Sequence, residues 1–159
     1  MTIVLAWERP NFGDICAIAD SRVSDAEGPI LNSAPKLFPL EINVHVEAKR
    51  KPRIAFRHSV GFAYAGSSIV AQSVYAFASA SLKDLFLKRG GSVPSLKNIA
   101  EAVGDIAEKY VEEVWGKYYP DNRGRAEFFI FGYCKRSNKL QIFKITPVVV
   151  PKFSIKVEE

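Results

Sequence analysis

The chain is poor in the residues that most often build a reactive centre outright, with 2 cysteines and 2 histidines in 159 residues. Cys16 and Cys134 stand in separate apolar runs without metal-like spacing. They read as small buried residues of a reducing compartment, not as a disulfide framework or a zinc site. His45 and His58 each stand alone, which leaves a zinc centre or a His-based triad poorly supplied. No metal and no cofactor is expected. Long uncharged runs are scarce as well. One, GSSIVAQSVYAFASASL, carries five serines and is short for a membrane span. The opening MTIVLAWERP has no basic region ahead of its apolar run, which breaks at Glu8 and Arg9, so it does not read as a secretory signal. These absences predict a cytoplasmic protein without membrane contact.

What is present suits an ordinary globular domain. Apolar residues make up 48% and charged residues 25%, enough for one sizeable core, and a single domain is expected over 1–159. The excess of 22 basic over 17 acidic residues gives +5, which permits an anionic partner without demanding one. Two basic stretches, EAKRKPR (Glu47 to Arg53) and DNRGR, could contact nucleic acid. A solvated loop is the simpler reading of the first, and nucleic acid is not the expected partner.

Along the chain, TIVLAWE and DICAIADSRV flank the turn cluster RPNFGD and predict a hairpin whose near-continuous apolarity calls for cover on both faces. GPILNSAPKLFPLEINVHV reads as short strands around Pro35 and Pro39, and IAFRHSVGFAYAG as a strand with a bend near Gly61. A helix follows Gly66, with Ser67 as its N-cap, and runs towards Lys88. A second begins near Ser95 and carries one apolar stripe through Leu96, Ile99, Ala100, Val103, Ile106, Ala107, Tyr110 and Val114. AEFFIFGYCKRSNKLQIFKITP predicts a hairpin turning at KRSNK, and KFSIKVEE one more strand. Strands on both sides of a helix pair suggest a layered α+β fold.

Within this frame Thr2 opens the first strand, behind a methionine that ordinary processing removes before a small residue. Asp20 ends the second strand in IADSR. Lys36 follows in APKLF, and Gly66 stands where a strand hands over to a helix. In this order the chain resembles a proteasome β-type subunit, in the HslV-like bacterial group of the N-terminal nucleophile hydrolases. The pieces that carry the resemblance are Thr2, ADSRVS, PKLF, VGFAYAGSS before a long helix, and FFIFGYCKRSNKLQIFKI. They span Thr2 to about Pro147.

The resemblance implies a four-layer αββα sandwich, with its C-terminal part missing or shortened because the chain ends at Glu159, before the family's second half. It implies a threonine peptidase whose nucleophile is Thr2 after removal of Met1. Thr2 Oγ needs a base, and its own freed α-amino group can serve. Lys36 would favour the neutral amine, Asp20 would orient Lys36, and the Gly66 N–H would donate to the oxyanion. By the same resemblance Ser24 would hold an extended peptide, while Val23, Ala34, Tyr64 and Ser68 would shape the specificity pocket. Expected partners are unfolded polypeptides, further copies in a homo-oligomeric ring, and an ATP-dependent unfoldase. The alternative is a catalytically inactive structural subunit of such a ring.

Overall fold

Turn chemistry sets the first element. In a computed structural model, which describes residues 3–24, 28–47, 51–88, 90–118, 125–149 and 153–159, the chain folds back at RPNFGD. Strand β1 (Val4–Arg9) pairs antiparallel with β2 (Asp14–Ala19). Gly13 takes the left-handed φ of +64° that the turn needs, and Arg9 pairs with Asp14 at its mouth. Met1, Thr2, the centre of EAKRKPR (48–50), most of DNRGR and the side chain of Val114 lie outside the described residues.

The core is built on one six-stranded mixed sheet. Its strands are β5 (Leu37–Val46), β6 (Arg53–Gly66), β7 (Leu85–Phe86), β8 (Ala126–Cys134), β9 (Lys139–Val149) and β10 (Phe153–Glu158), in the order β10-β9-β8-β6-β5-β7. A short hairpin, β3 (Val23–Ser24) with β4 (Pro29–Leu31), stands apart from it. The predicted hairpin at KRSNK forms as β8–β9, with Asn138 in the left-handed region at φ 57°.

Helices α1 (Ser68–Leu82) and α2 (Leu96–Tyr118) pack on the sheet. Ser67 caps α1 as expected, accepting the N–H of Val70. The predicted stripe of α2 buries Leu96, Ile99, Ala100, Val103 and Ala107 against Phe62, Phe128 and Ile145 of the sheet, all within one cluster. Cys134 is buried there too, its Sγ accepting the N–H of Leu96 at 3.3 Å, while Cys16 is half-buried.

The hairpin β1–β2 contacts β5, β6, β8 and β9 but forms no ladder with them. Because α1 and α2 occupy one face of the sheet, the hairpin lies across the other. It covers that face in part: Ala63, which points away from the side of Phe62 and Tyr64, is fully buried. The outer face of the hairpin is open. Leu5 and its cross-strand partner Ile18 are each 53% exposed, and Trp7 is 42% exposed. The expectation of cover on both faces therefore holds for one face only.

Three local readings change. The first helix ends at Leu82 instead of continuing towards Lys88, because Leu85–Phe86 satisfy the free edge of β5 as a parallel strand. The proline-rich segment forms two strands on either side of Pro35, β4 and β5, and the second runs unbroken through Pro39 for ten residues. Pro39 is accommodated where β7 does not reach, so no ladder donor is lost on that side. Gly61 marks no break in β6. Its missing Cβ makes room for the ring of Phe131, which lies where a methyl group would be.

The fold is α+β, as the element order implied. Among the described residues the layers are a helix pair, the sheet and the small hairpin, and a four-layer sandwich is not complete. No described helix is long and apolar enough to cross a membrane.

Candidate active site

Asp20 follows β2, and its N–H donates to the carbonyl of Ile3 at 3.0 Å, one step beyond the paired residues of the hairpin. Its side chain then reaches back. One oxygen accepts the N–H of Ile3 at 2.8 Å. The other accepts the N–H of Arg22 at 3.2 Å and the ammonium of Lys36 at 3.0 Å. The same ammonium donates to the carbonyl of Arg22 at 2.6 Å.

Lys36 is the buried charge of the described core, at 3% exposure. An unpaired ammonium at that depth would cost several kcal/mol, and a carboxylate and a carbonyl meet it here. Burial pushes the Asp20 pKa up. The Ile3 N–H, the Lys36 ammonium and the Arg22 N–H together outweigh it, and the carboxyl is held below its ordinary value.

The backbone around Lys36 is held from β6. The N–H of Tyr64 donates to the Lys36 carbonyl at 3.2 Å, and the Tyr64 hydroxyl to the Pro35 carbonyl at 3.3 Å. Gly66 ends the same strand two residues further on, roughly 7 Å along it. Its φ is +99°, and a Cβ there would run into the Arg125 carbonyl, so the position demands glycine twice over. The next amide, Ser67 N–H, donates to that carbonyl at 2.8 Å and starts α1. Thus the segment that carries Lys36 is hydrogen-bonded to the end of β6, two residues before its junction with α1.

The other expected site residues fall into two groups. Val23 and Ser24 form β3, with Val23 half-buried and Ser24 exposed, directly after the Arg22 carbonyl that Lys36 uses. Ala34 is buried and donates its N–H to the Ser21 carbonyl at 2.8 Å. Ser68 is half-buried at the first position of α1. Tyr64 differs from these. It is fully buried, stacked on Phe38, and offers no surface to a ligand, so its part is to hold the segment that carries Lys36. Thr2, the expected nucleophile, lies outside the described residues, directly before the Ile3 amide that Asp20 holds.

Sequence reasoning did not find the Ile3 N–H or the Arg22 carbonyl. Backbone groups carry no residue signature. Their only signal is position, next to Thr2 and within ADSR. Among the described residues no three His, Cys, Asp or Glu side chains converge as they would around a metal ion. No protein-family model and no curated protein matches the chain.

Proposed function

We propose that the chain is a threonine-type peptidase subunit of a proteasome-like, self-compartmentalising particle. One observation carries this reading. Asp20 ties the N–H of the residue directly after Thr2 to a buried lysine, the relationship an N-terminal nucleophile requires.

In this reading, removal of Met1 frees the α-amino group of Thr2. That amine accepts the hydroxyl proton, directly or through a water, as Oγ attacks the substrate carbonyl. The Lys36 ammonium keeps the amine neutral near pH 7, and Asp20 keeps Lys36 in place. The Gly66 N–H, next to the α1 N-terminus, donates to the developing oxyanion. The peptide C–N bond breaks, the proton passes to the leaving amine, and an ester remains on Thr2 Oγ. Water then hydrolyses that ester by the same proton route. Ser24, exposed in β3, would align an extended substrate.

The open face of β1–β2 fits the start of a second sheet in a four-layer αββα sandwich. Unfolded polypeptides are the proposed substrates, reached in a homo-oligomeric ring fed by an ATP-dependent unfoldase. The test is intact mass followed by inhibitor labelling. The active enzyme must have lost Met1, and a peptide boronate or β-lactone must modify Thr2. Thr2→Ala should abolish peptide turnover with unchanged circular dichroism. A processed Thr2→Ala protein with full activity overturns the reading, and retention of Met1 makes the chain an inactive structural subunit.

A further inference from the structure

The sequence separates EAKRKPR from KRSNK by some eighty residues, and the fold brings the flanks of the two together. Beyond Gly61 the pairing of β6 with β8 stops, and β5 and β6 continue towards 46 and 53 as a ribbon whose outer edge carries the two-residue β7. The β8–β9 turn leans against it. His58 Nε2 lies 2.7 Å from the Tyr133 carbonyl, and the Lys135 ammonium sits 5.3 Å from the centre of the Phe56 ring. Lys51, Arg53 and Arg57 on the ribbon, with Lys135, Arg136 and Lys139 on the turn, are all exposed.

None of these six makes an ion pair among the described residues. Elsewhere Lys36, Lys83, Lys97, Lys144 and Lys156 all have carboxylate partners. Residues 43–47 and 51–59 hold one carboxylate, Glu47, and the turn holds none, while Asp84 meets His45 from β7 and Glu159 meets Gln141 beside the turn. Without these six, the chain's basic residues fall from 22 to 16, against 17 acidic ones. The six cations of this end outnumber the carboxylates recorded beside it, Glu47, Asp84 at His45 and Glu159 at Gln141. This surface lies at the far end of β6 from Gly66, about 40 Å away along a strand of this length.

We propose that this basic ribbon-and-turn surface binds the phosphate backbone of a nucleic acid. Unpaired cations gain most from a polyanion, through release of its condensed counterions. Three of them are arginines, whose planar fork suits phosphate. Tyr133 stands among them, 40% exposed, and such a ring can stack on a base. The exposed Tyr133 ring and the three arginines favour nucleic acid over an acidic polypeptide.

The experiment is fluorescence anisotropy on the full chain with a labelled mixed-sequence 20-mer, single-stranded and duplex, from 50 to 200 mM salt, with polyglutamate as competitor. Binding to at least one form should weaken with salt, with a log–log slope of about −0.7 per contact for single strands or about −0.9 for duplex. Arg53→Ser/Arg57→Ser/Arg136→Ser should reduce affinity tenfold or more and flatten the slope. Arg9→Ser/Lys109→Ser/Lys156→Ser, with the same charge change elsewhere, should do neither. The proposal is overturned if neither form binds at 50 mM salt, if both triple variants lose affinity equally, or if polyglutamate competes as well as unlabelled nucleic acid.

Discussion

The ammonium of Lys36 stands 3.0 Å from the carboxylate of Asp20, and the lysine side chain is 1% exposed where the aspartate is 29% exposed. The pair is lopsided: its cation belongs to the core and its anion to the rim. Asp20 can therefore exchange one partner for water, whereas Lys36 cannot. The rim partner also holds Ile3, so anything that moves Asp20 moves the start of β1.

Substitution of Lys36 should affect stability and activity together. Lys36→Met keeps the stem and removes the charge, leaving Asp20 with two backbone donors and access to water. We expect a loss of about 1–3 kcal/mol, below the usual cost of breaking a fully buried pair because Asp20 can hydrate. Lys36→Ala should cost more, since it also leaves a cavity. On the proposed function, peptide turnover should fall far more in both variants than in Lys36→Arg, which keeps the charge. Urea denaturation and steady-state hydrolysis of a short fluorogenic peptide measure the two effects. Normal turnover in Lys36→Met, with Thr2 exposed, removes Lys36 from the mechanism.

The same pair sets an acid limit. In the folded protein Asp20 is held below its ordinary pKa, so between the two values the unfolded chain binds more protons than the folded one. Stability from this group is complete above the unfolded value, near pH 4, and is lost as pH falls through the lower folded value. Wild type should therefore lose stability below about pH 4, and Asp20→Asn should lose less over the same range. Urea midpoints at pH 7, 5, 4 and 3 give the comparison, and parallel curves for the two proteins would contradict it.

Glycine positions provide a third check. At Gly66 alanine meets both an unfavourable φ and the Arg125 carbonyl, while at Gly13 it meets only an unfavourable φ, with nothing near the added carbon. Gly13→Ala should cost about 1 kcal/mol, and Gly66→Ala clearly more, because backbone at the β6–α1 junction must shift. Gly66→Ala should also reduce turnover by displacing the proposed oxyanion donor. Equal denaturation midpoints for the two variants would show that the Arg125 contact is unimportant.

Much of this arrangement is written locally. The turn residues in RPNFGD and KRSNK, the cap at Ser67 and the stripe from Leu96 to Tyr110 each act within a few residues, so the hairpins and helices are readable in order. Asp20 and Lys36 were legible as a pair, and their contact bears that out. What escaped depends on partners distant in the chain. Leu85–Phe86 become a strand only because the edge of β5 is free. Gly61 is needed by a ring seventy residues away, and Tyr64 turns inward because its strand neighbours Phe62 and Val60 face the helices. The open face of Leu5, Trp7 and Ile18 also escaped, since an apolar run does not say which of its faces finds cover.

Assembly is the last expectation, and α1 supplies its physical basis. Val70, Ala71, Val74, Ala78 and Leu82 face the sheet, as an amphipathic helix requires. The opposite side carries Ile69, Gln72, Ala76, Phe77, Ala80 and Ser81, exposed and without a single charge. Ile69 is 65% exposed and Phe77 55%, so covering them would contribute about 1–2 kcal/mol each per subunit. A solvent-facing helix normally spends such positions on Lys and Glu, and this one does not. On the proposed function this face is a contact between copies in the ring, so size-exclusion chromatography with light scattering should show an oligomer. Ile69→Lys/Phe77→Glu, which touches no buried position, should shift the mass towards monomer while leaving circular dichroism unchanged. Trp7, on the open face of the first hairpin, reports independently. Its quenching by acrylamide should fall on assembly if that face is covered as well. A wild-type chain that stays monomeric at micromolar concentration would end the ring reading, and with it the enclosed chamber that confines the peptidase to unfolded substrates.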